Sequence, residues 1–116
     1  MPKSDRANLL AILDALKKIQ DYVQDFRDSD EFYKDTRSFD AVMMNFILMG
    51  EMIDRITDET KGKHPEVQWQ KAKDFRNLVA HDYLGIDAEE VWQIIQNHVP
   101  KLREQAENIL SELLSP

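Results

Sequence analysis

The sequence predicts an all-α fold, a four- to five-helix up-and-down bundle that pairs with a second copy. Two observations predict it. Apolar residues recur at spacings of three and four along most of the chain, the period of a helix with one buried face. Helix breakers are scarce, with three glycines and four prolines in 116 residues, and Pro2 and Pro116 sit at the ends. The length suits one domain, expected over 1–116, and a hydrophobic content of 42% is enough for one core.

The first helix is expected from Ser4, a residue type that caps helices, to Phe26. Leu9, Ile12, Leu13, Leu16, Ile19, Val23 and Phe26 form its apolar stripe. Asp28 to Arg37 reads as a polar connector with one helical turn at Glu31–Lys34. A second long helix is expected from Ser38 to Thr60, ended by Gly62. Its main stripe is Phe39, Val42, Met43, Phe46, Met49, Gly50, Ile53 and Ile56, and Met44, Ile47, Leu48 and Met52 lie off it. A helix apolar nearly all round is buried on more than one side, as a central core helix or one that also faces a second subunit. The third helix is expected over Val67–Tyr83, stopped by Gly85. The fourth follows Asp87, which has capping-box spacing to Glu90, and Pro100 is expected to kink or split it.

Composition excludes several chemistries. Without cysteine there is no disulfide, thiolate nucleophile or Cys-based zinc site, which fits a reducing cytoplasm. No charged-then-apolar leader opens the chain, so no secretory signal is expected. The longest near-apolar run, Ala41 to Met49, is far short of the about 20 residues that span a bilayer, so no membrane partner is expected. The net charge of −7 disfavours loose nucleic-acid binding. Between Lys61 and Arg76, however, five cations face two anions. That window holds Lys71 and Lys73, the candidate RNA-binding patch.

The segment Arg76-Asn77-Leu78-Val79-Ala80-His81-Asp82-Tyr83 carries the chemistry. At about 100° per residue, Ala72, Phe75, Leu78 and Val79 cluster on the core side of this helix, and Asn77 and His81 point away from it. Arg76, Asn77 and His81 thus offer a permanently charged fork, an amide and an imidazole over about two turns. Metal-free RNA cleavage needs these parts. An imidazole takes the proton of a 2′-OH or gives one to the leaving oxygen. A guanidinium stabilises the charge developing on phosphorus, and an amide orients either partner. The same three residue types also make an ordinary solvated helix face, and both readings stay open at this point. One such histidine is thin for two proton transfers, and a two-fold dimer would supply a second His81.

The pattern Arg-Asn-x-x-x-His-x-Tyr, late in a short helical chain, resembles the HEPN ribonuclease superfamily. It is closest to the HepT-like toxins that pair with a minimal nucleotidyltransferase antitoxin. The flanks agree: Phe39-Asp40-Ala41-Val42, Asn45 and Gly50-Glu51 in the second helix, Trp69 before the motif, then Gly85-Ile86-Asp87, Val91-Trp92 and Pro100-x-Leu102. The resemblance implies a dimeric helical bundle that cuts RNA, whether tRNA or mRNA, without metal or other cofactor. It implies that Arg76 and His81 are the catalytic pair and Asn77 their polar support. It also implies that Tyr83 receives adenylate groups from the partner enzyme, which silences the toxin. The alternative is a non-catalytic nucleotide- or RNA-binding subunit of a nucleotidyltransferase complex.

The remaining features read as structural. His64, in a loop before Pro65, is expected at the surface. His98, on the apolar stripe of the fourth helix, is expected half-buried and hydrogen-bonded. Three scattered histidines have no metal-ligand spacing, and no glycine-rich phosphate loop occurs. Four of the five methionines fall in the second helix, where they are expected to fill the core.

Overall fold

A computed structural model describes residues 3–114. Its elements are α1 (Lys3–Val23), α2 (Ser29–Lys34), α3 (Thr36–Arg55), α4 (Asp58–Lys63), α5 (Trp69–His81), a 3₁₀ turn (Tyr83–Gly85), α6 (Ala88–Asn97) and α7 (Val99–Leu114). No strand occurs among the described residues.

Side-chain pairs fix the directions of the long helices. Asp5 at the start of α1 binds Thr57 just beyond α3, and Gln20 near the end of α1 binds Arg103 near the start of α7. Helix α1 therefore runs antiparallel to both. Along α3 and α5 the pairs are Asp40 with Tyr83, Glu51 with Arg76 and Asp54 with Lys73. One number rises as the other falls, so this pair is antiparallel too. The result is an up-and-down bundle with α3 at its centre, packed against α1 on one side and α5 on another.

The stripes read from the sequence line this core. Leu9, Ile12, Leu16 and Ile19 of α1 meet Val42, Phe46, Met49 and Ile53 of α3, all essentially without solvent contact. Each such side chain contributes about 1.5–3 kcal/mol of transfer free energy. Connectors are capped locally. Asp28, Asp35, Thr57 and Asp87 each accept a backbone N–H from the first turn of the helix that follows.

The structure corrects several expectations. Helix α1 is already helical at Lys3, so Ser4 is not its cap, and it ends at Val23, leaving Phe26 in the following turn. The connector holds a full helix, α2, because Phe32 is completely buried against Phe26, Phe39 and Trp92. The long second helix breaks at Ile56, which is extended, and Thr57 starts α4 anew, with Gly62 inside it. The third helix is shorter, ending at His81, and Gly85 closes the 3₁₀ turn rather than the helix. The fourth is split, as Pro100 leads one to expect, and the break falls at His98, so Pro100 stands in the first turn of α7, where no N–H is needed.

Both outlying histidines are reversed. His64 is buried, with Nδ1 3.1 Å from Glu66 and Nε2 3.2 Å from Glu112 of α7. Its carbonyl accepts from the Trp69 indole. Local sequence cannot show that α7 returns over this loop. His98 is exposed, because the split between α6 and α7 interrupts the periodicity on which it was placed.

The break after α3 is held by Asp5. Its fully buried carboxylate accepts the Thr57 N–H at 3.0 Å, the Thr57 hydroxyl at 2.7 Å and the Thr60 hydroxyl at 2.5 Å. Burial by itself would push this carboxyl up, but the bonds from Thr60 and Thr57 outweigh it and hold its pKa below the ordinary value. A depressed pKa stabilises the fold above the unfolded carboxyl pKa of about 4, and that contribution is lost as pH falls through the folded value. Asp5→Ala should therefore cost on the order of 3 kcal/mol at pH 7. In urea titrations the gap between wild type and variant should narrow at about pH 2.5. An equal gap at both pH values would refute this role.

Candidate active site

The site lies along the seam where α5 crosses α3. Taking Gly50 as zero at about 100° per residue, Asp54, Asp40 and Glu51 of α3 share a narrow edge between about 40° and 100°. Each of these carboxylates receives one group from the motif helix or the turn beyond it. Asp54 takes Lys73 at 2.9 Å, Glu51 takes Arg76 Nη1 at 3.3 Å, and Asp40 accepts the Tyr83 hydroxyl. The ion pair with Lys73 holds the Asp54 carboxyl below its usual range.

Arg76 is the most constrained of these groups. Its side chain is only 17% exposed, and its Nε is buried without an acceptor among the described residues. Its stem lies directly on the backbone of Gly50. Asn77 is half-buried beside it. His81, the last residue of α5, is exposed, and no described residue hydrogen-bonds its ring. The structure thus sets Arg76 and Tyr83 against α3 in the seam, with Asn77 next to Arg76 in sequence, and leaves His81 on the outward side of the same helix, open to solvent.

The lysines are not brought together. Lys73 is tied to Asp54 in the seam, whereas Lys71 borders a separate groove of about 290 Å³ between α5 and the α6–α7 arm. That groove has Phe46, Met49, Phe75, Leu78 and Leu102 in its walls. The cationic window of the sequence is therefore divided between two surfaces. Among the described residues no group of three His, Asp or Glu side chains is placed to hold a metal ion. No described helix is long and apolar enough to cross a membrane.

Sequence reasoning singles out Asp40 and Gly50-Glu51 only as flanks of the resemblance, gives them no role, and misses Asp54. The acids do carry a signal, since positions 40, 51 and 54 share one helix edge. What they would face depends on the register of α5, which no local pattern reveals. It also missed Leu84, 97% exposed immediately beside Tyr83.

An antiparallel helical bundle that carries Arg-Asn-x-x-x-His-x-Tyr on the helix packed against its central one defines a HEPN-type protein. The model of the family described as "Ribonuclease HepT-like" matches residues 12–109, and the chain belongs to that family. Among its relatives is a Methanocaldococcus jannaschii protein named as a putative RNase, 34% identical over 97% of this chain and 93% of its own. A second M. jannaschii protein of the same description is 31% identical over 92% of this chain and 98% of its own. A Thermococcus cleftensis protein named probable ribonuclease HepT is 26% identical over 94% of this chain and 98% of its own. No solved structure matches the chain.

The Tyr83–Asp40 bond has a spectroscopic consequence. The hydrogen bond to the Asp40 carboxylate, with burial adding to it, pushes the phenol up to about 12. A negative neighbour disfavours the phenolate, so removing its charge lets Tyr83 ionise earlier. In an ultraviolet titration of the three tyrosines, Asp40→Asn should bring the late one back toward about 10. An unchanged titration curve would contradict the bond.

Proposed function

We propose that this chain is a metal-independent endoribonuclease, the toxin of a toxin–antitoxin pair acting in the cytoplasm, and that a nucleotidyltransferase antitoxin silences it by adenylating Tyr83. The arrangement of Arg76, Asn77 and His81 supports this reading. His81 takes the proton of a ribose 2′-OH, or returns one to the departing 5′-oxygen. The 2′-oxygen forms its bond to phosphorus as the 5′-oxygen leaves, giving a 2′,3′-cyclic phosphate and a 5′-hydroxyl. Arg76 neutralises the charge gathering on the phosphoryl oxygens, and Asn77 orients the group in flight.

A second copy completes the proposal. Met44 and Leu48 are exposed large apolar residues on α3, next to the edge that carries Glu51 and Asp40. A two-fold pairing there would cover them and set two His81 imidazoles about one cleft. The antitoxin's approach to Tyr83 is supported by the exposure of that residue and of Leu84 beside it. A binding-subunit role is the second reading. One observation favours it: Arg76 and Lys73 already carry carboxylate partners, so an isolated chain presents little free positive charge at the seam.

The test is cleavage of tRNA and of a messenger RNA in EDTA. Wild type should leave cyclic-phosphate ends, and His81→Ala should lose at least about 10²-fold in rate while keeping its oligomeric state. If neither protein cuts but both bind RNA, the binding-subunit role replaces the ribonuclease. For the silencing step, the purified transferase with ATP should add whole adenylyl groups to wild type and none to Tyr83→Phe, as read by intact-mass spectrometry. The same additions on Tyr83→Phe would move the modification elsewhere.

A further inference from the structure

Three features of the seam meet on one side chain. A Cβ built on Gly50 would stand 2.3 Å from Cβ and 2.4 Å from Cγ of Arg76, which no real pair of carbons tolerates. Only glycine lets the arginine stem lie across α3 at this level. The next residue, Glu51, places Oε1 3.3 Å from Nη1 of the same arginine. Between them Nε is buried without an acceptor among the described residues. A surface arginine seeking only a counter-ion would keep Nε in water. Here the stem is pressed down until that donor is lost to solvent, a cost that an ordinary ion pair would not require.

We propose that Gly50-Glu51 is the seat and clamp of Arg76, with Glu51 a positioning residue of the site. This rests on the ribonuclease reading for what Arg76 does once positioned. The backbone of Gly50 fixes the depth of the stem. Glu51 fixes the rotation of the guanidinium about that stem. Because the guanidinium is a rigid plane, binding Nη1 on one side sets the direction of the nitrogens left for a phosphate. Glu51 does not touch RNA in this scheme, since a carboxylate would repel it. It acts through Arg76, as the supporting groups behind an oxyanion site do. The same arrangement explains why Arg76 is far less exposed than His81. The electrostatic group is locked and the proton-transfer group is left accessible.

The experiment compares Gly50→Ala, Glu51→Gln, Glu51→Asp and Arg76→Ala, and combines Glu51→Gln with Arg76→Ala. One readout needs no activity. The ¹⁵Nε–¹Hε signal of Arg76, assigned as the one absent from Arg76→Ala, should exchange slowly with water in wild type. It should shift and exchange roughly tenfold faster or more in Gly50→Ala and Glu51→Gln. The second readout is RNA cleavage. Each of those two variants should lose roughly tenfold or more in kcat with KM little changed, and Glu51→Asp should recover part of the loss. Glu51→Gln should cost nothing further when Arg76 is already alanine, whereas Gly50→Ala still meets the Cβ at position 76 and is read from its signal and kcat in the Arg76 background. An Nε signal unmoved in both variants overturns the proposal. So does a kinetic loss of Glu51→Gln that adds fully to that of Arg76→Ala. Tighter RNA binding by Glu51→Gln with kcat retained also overturns it, because Glu51 would then be a competing counter-ion. If Gly50→Ala does not fold, the Glu51 variants decide the matter alone. If wild type cuts no RNA while the Nε signal responds as expected, the ribonuclease reading fails and the seat and clamp stand.

Discussion

Helices α3 and α5 approach each other over a glycine, and the site follows from that contact. With any side chain at position 50, the Arg76 stem would be lifted off α3 by the width of a methyl group. Glu51 would then be out of reach of Nη1, and the pairs above and below it, Asp54–Lys73 and Asp40–Tyr83, would be pried apart with it. Apolar packing does part of the work, since Phe46 of α3 meets Phe75 of α5 edge to face at 4.8 Å. But packing of that kind tolerates sliding. The polar pairs along the seam set the register, and the glycine sets the depth.

A helix held this way has one face committed and the rest open. Its core face buries Val79, its seam face carries Arg76 and Lys73, and its outer face leaves His81 in solvent. The far side opens onto the groove toward α6 and α7, where Lys71 and Leu78 stand among apolar walls. The cations of this region thus serve different surfaces, and most of the charge at the seam is balanced within the chain. In the proposed ribonuclease, RNA at the seam would meet one clamped guanidinium rather than a basic surface, in keeping with a net charge of −7, which makes non-specific attraction weak.

What the sequence could convey was set by distance along the chain. The stripes of α1 and α3 were legible because a 3.6-residue period is a local property, and Leu9, Ile12, Leu16 and Ile19 are buried as read. His81 is exposed, and that it and Asn77 face away from the core side of α5 was legible for the same reason. Phe32 was not, since it stands in a polar run and is buried only because rings from α3 and α6 close over it. The break at Ile56 was not, since it depends on Asp5, 52 residues away from Thr57. His64 and His98 exchanged their expected environments for the same kind of reason: one is covered by a distant helix, and the other sits where the periodicity restarts. In the sequence Gly50 is part of an apolar stripe and, with Glu51, a flank of the family pattern. Its meaning appears only once α5 lies across it.

The central claim is that RNA meets this chain at the α3–α5 seam, and the most direct measurement locates the contact. Uniformly ¹⁵N-labelled protein would be titrated with an RNA whose 2′-hydroxyls are methylated, so that it binds but cannot be cut. The expected result is that the amide and side-chain signals of Glu51, Arg76, Asn77 and His81 shift together and saturate together, while those of Lys71, Ile94 and Lys101 stay in place. Shifts confined to the groove around Lys71 and Lys101, with the seam unmoved, would contradict the claim.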